Sequence, residues 1–327
     1  MAYDPRDGST YSAINNPVFG AEVQHSRDLG KTWQQSKKNP KFPEGGKLSV
    51  NRIWHIEPSH EGEPGVIYAG AEPASLFRSA DRGETWDEVT GLTSHPSRDK
   101  WNPGNGGLCL HSIVADTGTK GRMWVGISSV GTFGTTDGGK SWTTHNKGVR
   151  ADYFPERFPE FGQCVHHMMS PRTSPGTLYQ QNHCGVYRSD NGGKEWVDIS
   201  AGLPSQFGFV LGLHSQDPKT LYVIPEDAVQ GKDLGGGQRY LTDAKMRVFR
   251  SRDGGANREP LTKGLPQGNA YMHFMREGMA TDAYEECGIY AGSTTGQLYY
   301  SRNNGDSWEL LAEHLPPILS VNTGMVG

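Results

Sequence analysis

An eight-residue phrase of the form Ser-x-Asp-x-Gly-x-Thr-Trp returns six times along this chain of 327 residues. It runs first through Ser26, Asp28, Gly30, Thr32 and Trp33, and then through Ser79, Asp81, Gly83, Thr85 and Trp86. The third copy uses Thr135, Asp137, Gly139, Ser141 and Trp142, while the fourth puts Asn191 in the Asp position and Glu195 before Trp196. The fifth passes through Ser251, Asp253 and Gly255 but ends on Asn257 and Arg258. The sixth has Ser301, Asn303, Gly305, Ser307 and Trp308. Equivalent last positions lie 53, 56, 54, 62 and 50 residues apart. A period of that size marks an array of supersecondary units, each too small to bury its own apolar face.

Overlaying the copies exposes four strand-like stretches per unit. In the second unit they are 53–56, 66–69, 75–78 and 85–89; in the fourth, 165–168, 177–180, 185–188 and 196–199. The sixth unit offers 271–274, 288–291, 297–300 and 308–311. Each is short, rich in β-branched and aromatic residues, and bounded by Gly, Pro or Asp. The 44 Gly and 20 Pro suit many tight turns. Four antiparallel strands at this period describe a blade, and radial repetition of blades predicts an all-β β-propeller forming one domain over residues 1–327. Six blades can be counted. Residues 1–5 read as the end of an innermost strand and 317–321 as another innermost strand without successors. That pattern favours a seventh blade in the complete ring over a six-bladed ring in which 317–321 pairs within the first blade. Within each unit the phrase occupies the turn between the third and fourth strands. Its Asp and Ser side chains bond turn backbone there, and Gly supplies positive φ. The Asn residues at 191 and 303 keep the carbonyl oxygen the turn needs, whereas the fifth copy, with Arg258 in the Trp position, should pack most loosely.

This phrase resembles the Asp-box, or BNR, repeat of sialidases, two-propeller xyloglucanases, sortilin-type receptors and photosystem II assembly factors, and the resemblance covers almost the whole chain. The wording around it (Tyr68, Ala69 and Gly70; Asn182, His183, Cys184 and Gly185) is most similar to bacterial single-propeller proteins described as exo-α-sialidases or glycosyl hydrolases. It implies a glycoside-hydrolase-like or carbohydrate-binding protein, with a non-catalytic binding or assembly scaffold as the alternative. Sialidases carry three arginines that clamp the substrate carboxylate, the first in a Phe/Tyr-Arg-Ile-Pro motif. Here the nearest phrase is Asn51-Arg52-Ile53-Trp54, and Arg52, Arg150 and Arg276 are the clamp candidates.

Composition narrows the partners. Net charge is −4 with no basic block, which disfavours nucleic acid. No apolar run approaches a membrane span, and the N-terminal residues lack the layout of a secretory signal. Cys109, Cys164, Cys184 and Cys287 show no CxxC spacing and read as free thiols of a cytoplasmic protein. No P-loop, HExxH, Rossmann phrase or GxSxG elbow occurs, and Gly235–Gly237 lacks the strand–helix context of a phosphate cradle, so no cofactor is expected.

Because the phrases mark one end of every blade, a ligand is expected at the other. That end receives the long connections 34–52, 91–108 and 147–163 and an excursion near 225–245. Glycosidases need two carboxyl groups about 5–9.5 Å apart, and Glu72 and Glu160 are the acid and base candidates. Binding is assigned to Arg52, His55, Trp101, His111, Gln163, His166, Asn182, His183, Glu226 and Arg276. The polar turns Asn15–Asn16, Glu72, Asn182–His183 and Glu226–Asp227 could equally be turn chemistry, although Glu72 and His183 are poorer turn formers than Asn, Asp or Gly. The segment 149–163 (Arg150, Asp152, Tyr153, Glu156, Arg157, Glu160) reads as a sugar-facing rim or a packed lid. The inner-strand histidines His55, His111, His166 or His167, His214 and His273 recur in register. Either they line a polar channel or they gather a transition metal. The first is the simpler reading, and no metal ligands are assigned.

Overall fold

A computed structural model describes residues 1–229 and 238–324. Among them the chain forms six antiparallel sheets, each a meander in sequence order except the fifth, where an extra strand, Gln238–Leu241, pairs off the path with Leu221–Val229. The second is typical, with strands Arg52–Pro58, Ile67–Glu72, Ser75–Ser79 and Asp87–Glu88. These are the blades of an all-β propeller. Contacts divide the chain into two compact units. One comprises Met1–Asn146 and Glu160–Val165, the other Lys147–Pro159 and the described residues from His166 onward.

Sequence pattern explains the order within a blade. Middle strands such as Met123–Ile127 and Gly131–Thr135 are buried along their whole length and are built from apolar, aromatic and small residues. In the first four sheets the fourth strand shrinks to two residues, both exposed at Gln34–Gln35 and Val197–Asp198. Short, polar outer strands give little template for unwanted edge pairing. In the first unit the core gathers Tyr11, Phe77 and Trp86 in one cluster and Trp101, Phe133 and Trp142 in another. In the second unit, Tyr222, Phe274 and Trp308 anchor one cluster and Tyr179 and Leu211 another.

The repeated phrase folds around one hydroxyl. Ser79 Oγ accepts N–H bonds from Asp81 (3.3 Å) and Gly83 (2.8 Å) and donates to Asp81 Oδ1 (2.8 Å). The Asp81 carboxylate then accepts the Thr85 amide (2.9 Å) and hydroxyl (2.6 Å), and the Trp86 indole N–H reaches back to the Gly83 carbonyl (3.2 Å). Gly83 has φ +84°, and a Cβ there would lie 2.9 Å from the Tyr11 ring, so both backbone and packing require glycine. The same bonds hold Asp28, whose carboxyl is brought down to about 2 by the Thr32 amide, the Thr32 hydroxyl and Ser26. Asn191 and Asn303 accept the corresponding amide, each at 3.0 Å. Because the indole is committed to the turn, Trp86 and Trp196 precede their fourth strands rather than starting them.

Several expectations change. The fifth turn closes like the others: Asn257 Nδ2 donates to Asp253 Oδ2 (2.7 Å), and Arg258 Nη1 bonds the Gly255 carbonyl (3.1 Å) where an indole would. The guanidinium does so half-buried, with its pKa lowered to about 10 by burial and with Nη2 lacking a partner. In the sixth sheet the innermost strand is Met279–Thr281, not 271–274, because the latter segment is bonded to the excursion strand Gln238–Leu241 through the Leu241 amide and Met272 carbonyl. Residues 317–321 begin no seventh sheet and do not join the first. Ser320 bridges Glu277 and the Val321 amide bonds the Glu277 carbonyl, alongside the sixth sheet. The excursion starts as a continuation of the strand Leu221–Val229, which pairs with Gln238–Leu241. Gly235–Gly237 lies outside the described residues. All four cysteines are free, and no helix among the described residues is long and apolar enough to cross a membrane.

Ser79→Ala strands the buried Gly83 amide and should cost about 1–3 kcal/mol in urea unfolding. Arg258→Trp removes a buried cationic N–H without a partner while restoring the indole bond. It should raise the stability by about 1 kcal/mol, read as a higher Tm.

Candidate functional site

In each sheet the second and third strands are joined at the end opposite the repeated turn. In the first unit that end of the second sheet is built by the cross-strand pair Arg52 and Glu72. A bulge between Ile53 and His55 lets Trp54 leave the alternation. Its indole N–H donates to Glu72 Oε2 at 3.0 Å, and Arg52 Cζ lies 6.0 Å from the indole centre. From the other side the backbone of Gly107 closes on the carboxylate, since a Cβ there would fall 2.6 Å from Glu72 Oε1. Asn15 fixes the start of the strand by exchanging two bonds with the Ile53 backbone, at 2.8 and 3.0 Å. The result is a carboxylate held between an indole and bare backbone, with a cation beside it.

The remaining first-unit candidates sit differently. Trp101 is buried and tilted on Phe133 (4.9 Å), with its N–H on Ser97 Oγ, so it is a pillar beneath the surface and not an exposed platform. The His111 ring is enclosed, with Nε2 on the Val165 carbonyl (2.8 Å) and Nδ1 beside Ser112 Oγ (3.2 Å). Gln163 is fully buried at a bridge with Val130. Glu160 is exposed, and its carbonyl accepts from Asn146 Nδ2. His55 approaches Glu57 at 3.5 Å.

In the second unit, aromatic and ionic groups converge. His166 is buried, stacks on Phe209 (4.3 Å, 11° between planes) and places Nδ1 2.6 Å from the Gly208 carbonyl. His183, on the turn after Asn182, meets His166 (5.5 Å), Phe207 (5.0 Å) and Tyr153 (5.4 Å) edge-on. Asn182 itself is fully buried and caps that turn by accepting the Cys184 amide. Glu226 is a strand residue and not a turn tip as its sequence suggested. It is enclosed, with Oε1 accepting the Phe274 amide (2.8 Å) and Oε2 lying 2.7 Å from His273 Nδ1. Arg239 stands 5.3 Å and Arg276 5.1 Å from the Phe209 ring centre.

This environment keeps the imidazoles neutral. Burial, then the positive charge of Arg276, pushes the His166 pKa well below its usual 6.5, and burial with Arg239 lowers that of His183. Other histidines are spent locally: His214 Nε2 contacts Asn304 Oδ1, and its Nδ1 accepts the Gln216 and Asp217 amides. Arg150 is no clamp. Its guanidinium is consumed by Asp152, Asp198, Gln206, Tyr187 and the Cys184 carbonyl, while residues 152–158 beside it are exposed.

Sequence reasoning passed over Trp54, Phe207, Phe209 and Arg239. The Phe207-Gly208-Phe209 alternation was a readable sign that two rings share one face. Arg239 had no such sign, because only the pairing of Glu226 with Leu241 brings its strand back.

No family model matches the chain. It is 27% identical over 291 residues to a xyloglucanase of Hypocrea jecorina (strain QM6a), covering 80% of this chain and 32% of that protein. A xyloglucanase of Paenibacillus sp is 25% identical over 362 residues, covering 94% of this chain and 33% of that protein. The chain thus spans about a third of the length of the curated relatives it matches. Among solved structures, the GH74 enzyme of Niastella koreensis superimposes with a TM-score of 0.62 at 17% identity, over 94% of this chain and 46% of that one. That likeness concerns the fold.

Since His166 and His183 have depressed pKa values in the folded state, the unfolded chain binds protons that the folded one refuses. Stability contributed by the neutral rings is complete above about pH 6.5 and is lost as pH falls below it. The Tm should fall between pH 7 and 5, and His166→Phe should flatten that slope.

Proposed function

We propose that this chain is a glycoside-hydrolase-like propeller that acts on or binds carbohydrate at the blade ends opposite its Asp-box turns. The observation that carries this reading is the 27% identity to a xyloglucanase across 80% of the chain. The chemistry around Glu72 supports it. A carboxylate oriented by an indole N–H, beside a partly exposed ring and an arginine, can hydrogen-bond hydroxyls while the ring packs on a sugar face. In this reading Glu72 and Glu160 are the acid–base pair. Arg52, Trp54 and His55 contact the sugar nearby, and His166, His183 and Arg276 belong to a second binding region. Trp101, His111 and Gln163 support the site from beneath.

The test is turnover of xyloglucan and its oligosaccharides, alongside calorimetric binding. Glu72→Gln and Glu160→Gln should each reduce kcat at least about 100-fold if they carry proton transfer. Turnover untouched by both changes removes the assignment. Binding without turnover makes the chain a carbohydrate-binding scaffold, and neither binding nor turnover overturns the proposal.

A further inference from the structure

We propose that the face of the sixth sheet carrying Tyr290 and Tyr300 is a docking surface for the first repeated turn of a second copy of this chain, so that copies associate head to tail.

In four other sheets the equivalent face is covered. A second-strand tyrosine lies opposite the residue that precedes the phrase: Tyr11 opposite His25, Tyr68 opposite Arg78, Tyr179 opposite Arg188 and Tyr222 opposite Arg250. All four rings are buried. The cover comes from the sheet that follows, chiefly from its repeated turn. Tyr11 packs on Gly83, and the Tyr222 hydroxyl donates to the Asn304 carbonyl (3.2 Å). The Tyr179 hydroxyl donates to the Pro218 carbonyl (3.0 Å), while Arg188 crowds Gly254 of the fifth turn.

On the sixth sheet the corresponding pair, Tyr290 and Tyr300, is stacked at 6.4 Å and lies open. Tyr290 is partly exposed, and Tyr284 and Leu311 beside it are exposed. Together with Asp282 and Glu286 they line a cleft of about 770 Å³. Arg302 marks the same vacancy. Arginines at its position in the phrase reach forward to the next turn: Arg27 Nη2 donates to the Arg82 carbonyl (2.7 Å), and Arg252 Nη2 lies 3.7 Å from Asp306. Arg302 instead folds back over its own Tyr300 ring (5.2 Å) and donates to that hydroxyl.

The first turn is the converse. Gly83, Gly139, Gly255 and Gly305 each meet a side chain on or just after a strand of the preceding sheet, namely Tyr11, Val89, Ile199 and Leu261. The atoms nearest a Cβ at Gly30 all belong to its own Trp33. That indole is 37% exposed, against 6% or less for Trp86, Trp142, Trp196 and Trp308, and Leu29 at the tip is exposed as well. A sheet face without a turn and a turn without a sheet are complementary, and joining them removes exposed rings and leucines from water. Charge agrees. The sheet carries Asp282, Glu285, Glu286 and Glu309 with Arg302 among them, whereas the turn carries Arg27 and Lys31 with Asp28 folded into its own bonds. Because the two surfaces differ, the contact is heterologous and can propagate from copy to copy.

Light scattering of the whole chain over a dilution series should show association with an apparent Kd below about 100 µM. It should weaken as salt rises from about 0.02 M to about 0.5 M. Leu311→Lys on the sheet and Leu29→Asp on the turn should each weaken association at least about tenfold, since each places a like charge against its partner surface. Both positions are exposed, so the variants should keep the Tm of the unaltered chain. Mixing the two variants should restore the association that neither shows alone, because each retains one intact surface. Monomers at every concentration overturn the proposal, as does association unchanged in both variants. Association lost in Leu311→Lys but kept in Leu29→Asp would mean that the sixth sheet packs against something other than the first turn, and overturns it too. The salt dependence of the unaltered chain remains informative should a variant fold poorly: association indifferent to salt removes the charge complementarity on which the choice of turn rests.

Discussion

One hydroxyl oxygen organises each repeat. Ser79 Oγ, and its equivalents at Ser26, Thr135, Ser189, Ser251 and Ser301, receives two backbone N–H groups and gives its own proton to the side chain two residues on. That side chain is thereby aimed at the amide four residues past itself, in the same turn. A tight turn at the end of the third strand exposes several amides at once, and an amide buried without an acceptor is expensive. The phrase satisfies most of them from within, and the preceding connection adds the rest, as where Ser36 Oγ donates to the Gly83 carbonyl and the Trp308 amide bonds the Lys263 carbonyl. With the reversal secured locally, the middle strands are free to be almost wholly apolar.

This division of labour leaves the opposite strand ends free of the turn's fixed chemistry. There, side chains are no longer committed to the core, and the two units use the freedom differently. The first unit presents a carboxylate steadied by Trp54 and shielded by Gly107, an arrangement suited to hydroxyl groups. The second presents rings and guanidiniums, with its own carboxylate turned inward to His273 and Phe274. Repetition supplies equivalent positions, and what occupies them need not repeat.

The blades were legible in sequence because each carries a turn with fixed polar chemistry and strands with distinct burial. The strands at Arg52–Pro58 and Gly185–Ser189 could be placed to within a residue or two. Reading failed where a local pattern met a long-range competitor. The stretch 271–274 has strand composition, yet it answers to the excursion strand, while the modest Met279–Thr281 takes the inner place. Glu226 looked like a turn residue because nothing local reveals that its strand continues to Val229. The sites were legible only in part. Glu72 and His183 stood out as poor turn formers, but Trp54 and Arg239 acquire meaning through a bulge and a hairpin that a linear reading does not contain.

Arg258 shows what the last position of the phrase requires. Its bond to the Gly255 carbonyl is the one an indole makes elsewhere, formed by a side chain with no aromatic character. The requirement is a long, flat group ending in an N–H at the correct reach. A repeat detected by its tryptophan is thus recognised by one solution to a geometric demand, and a motif written in letters undercounts the blades that a motif written in hydrogen bonds would find.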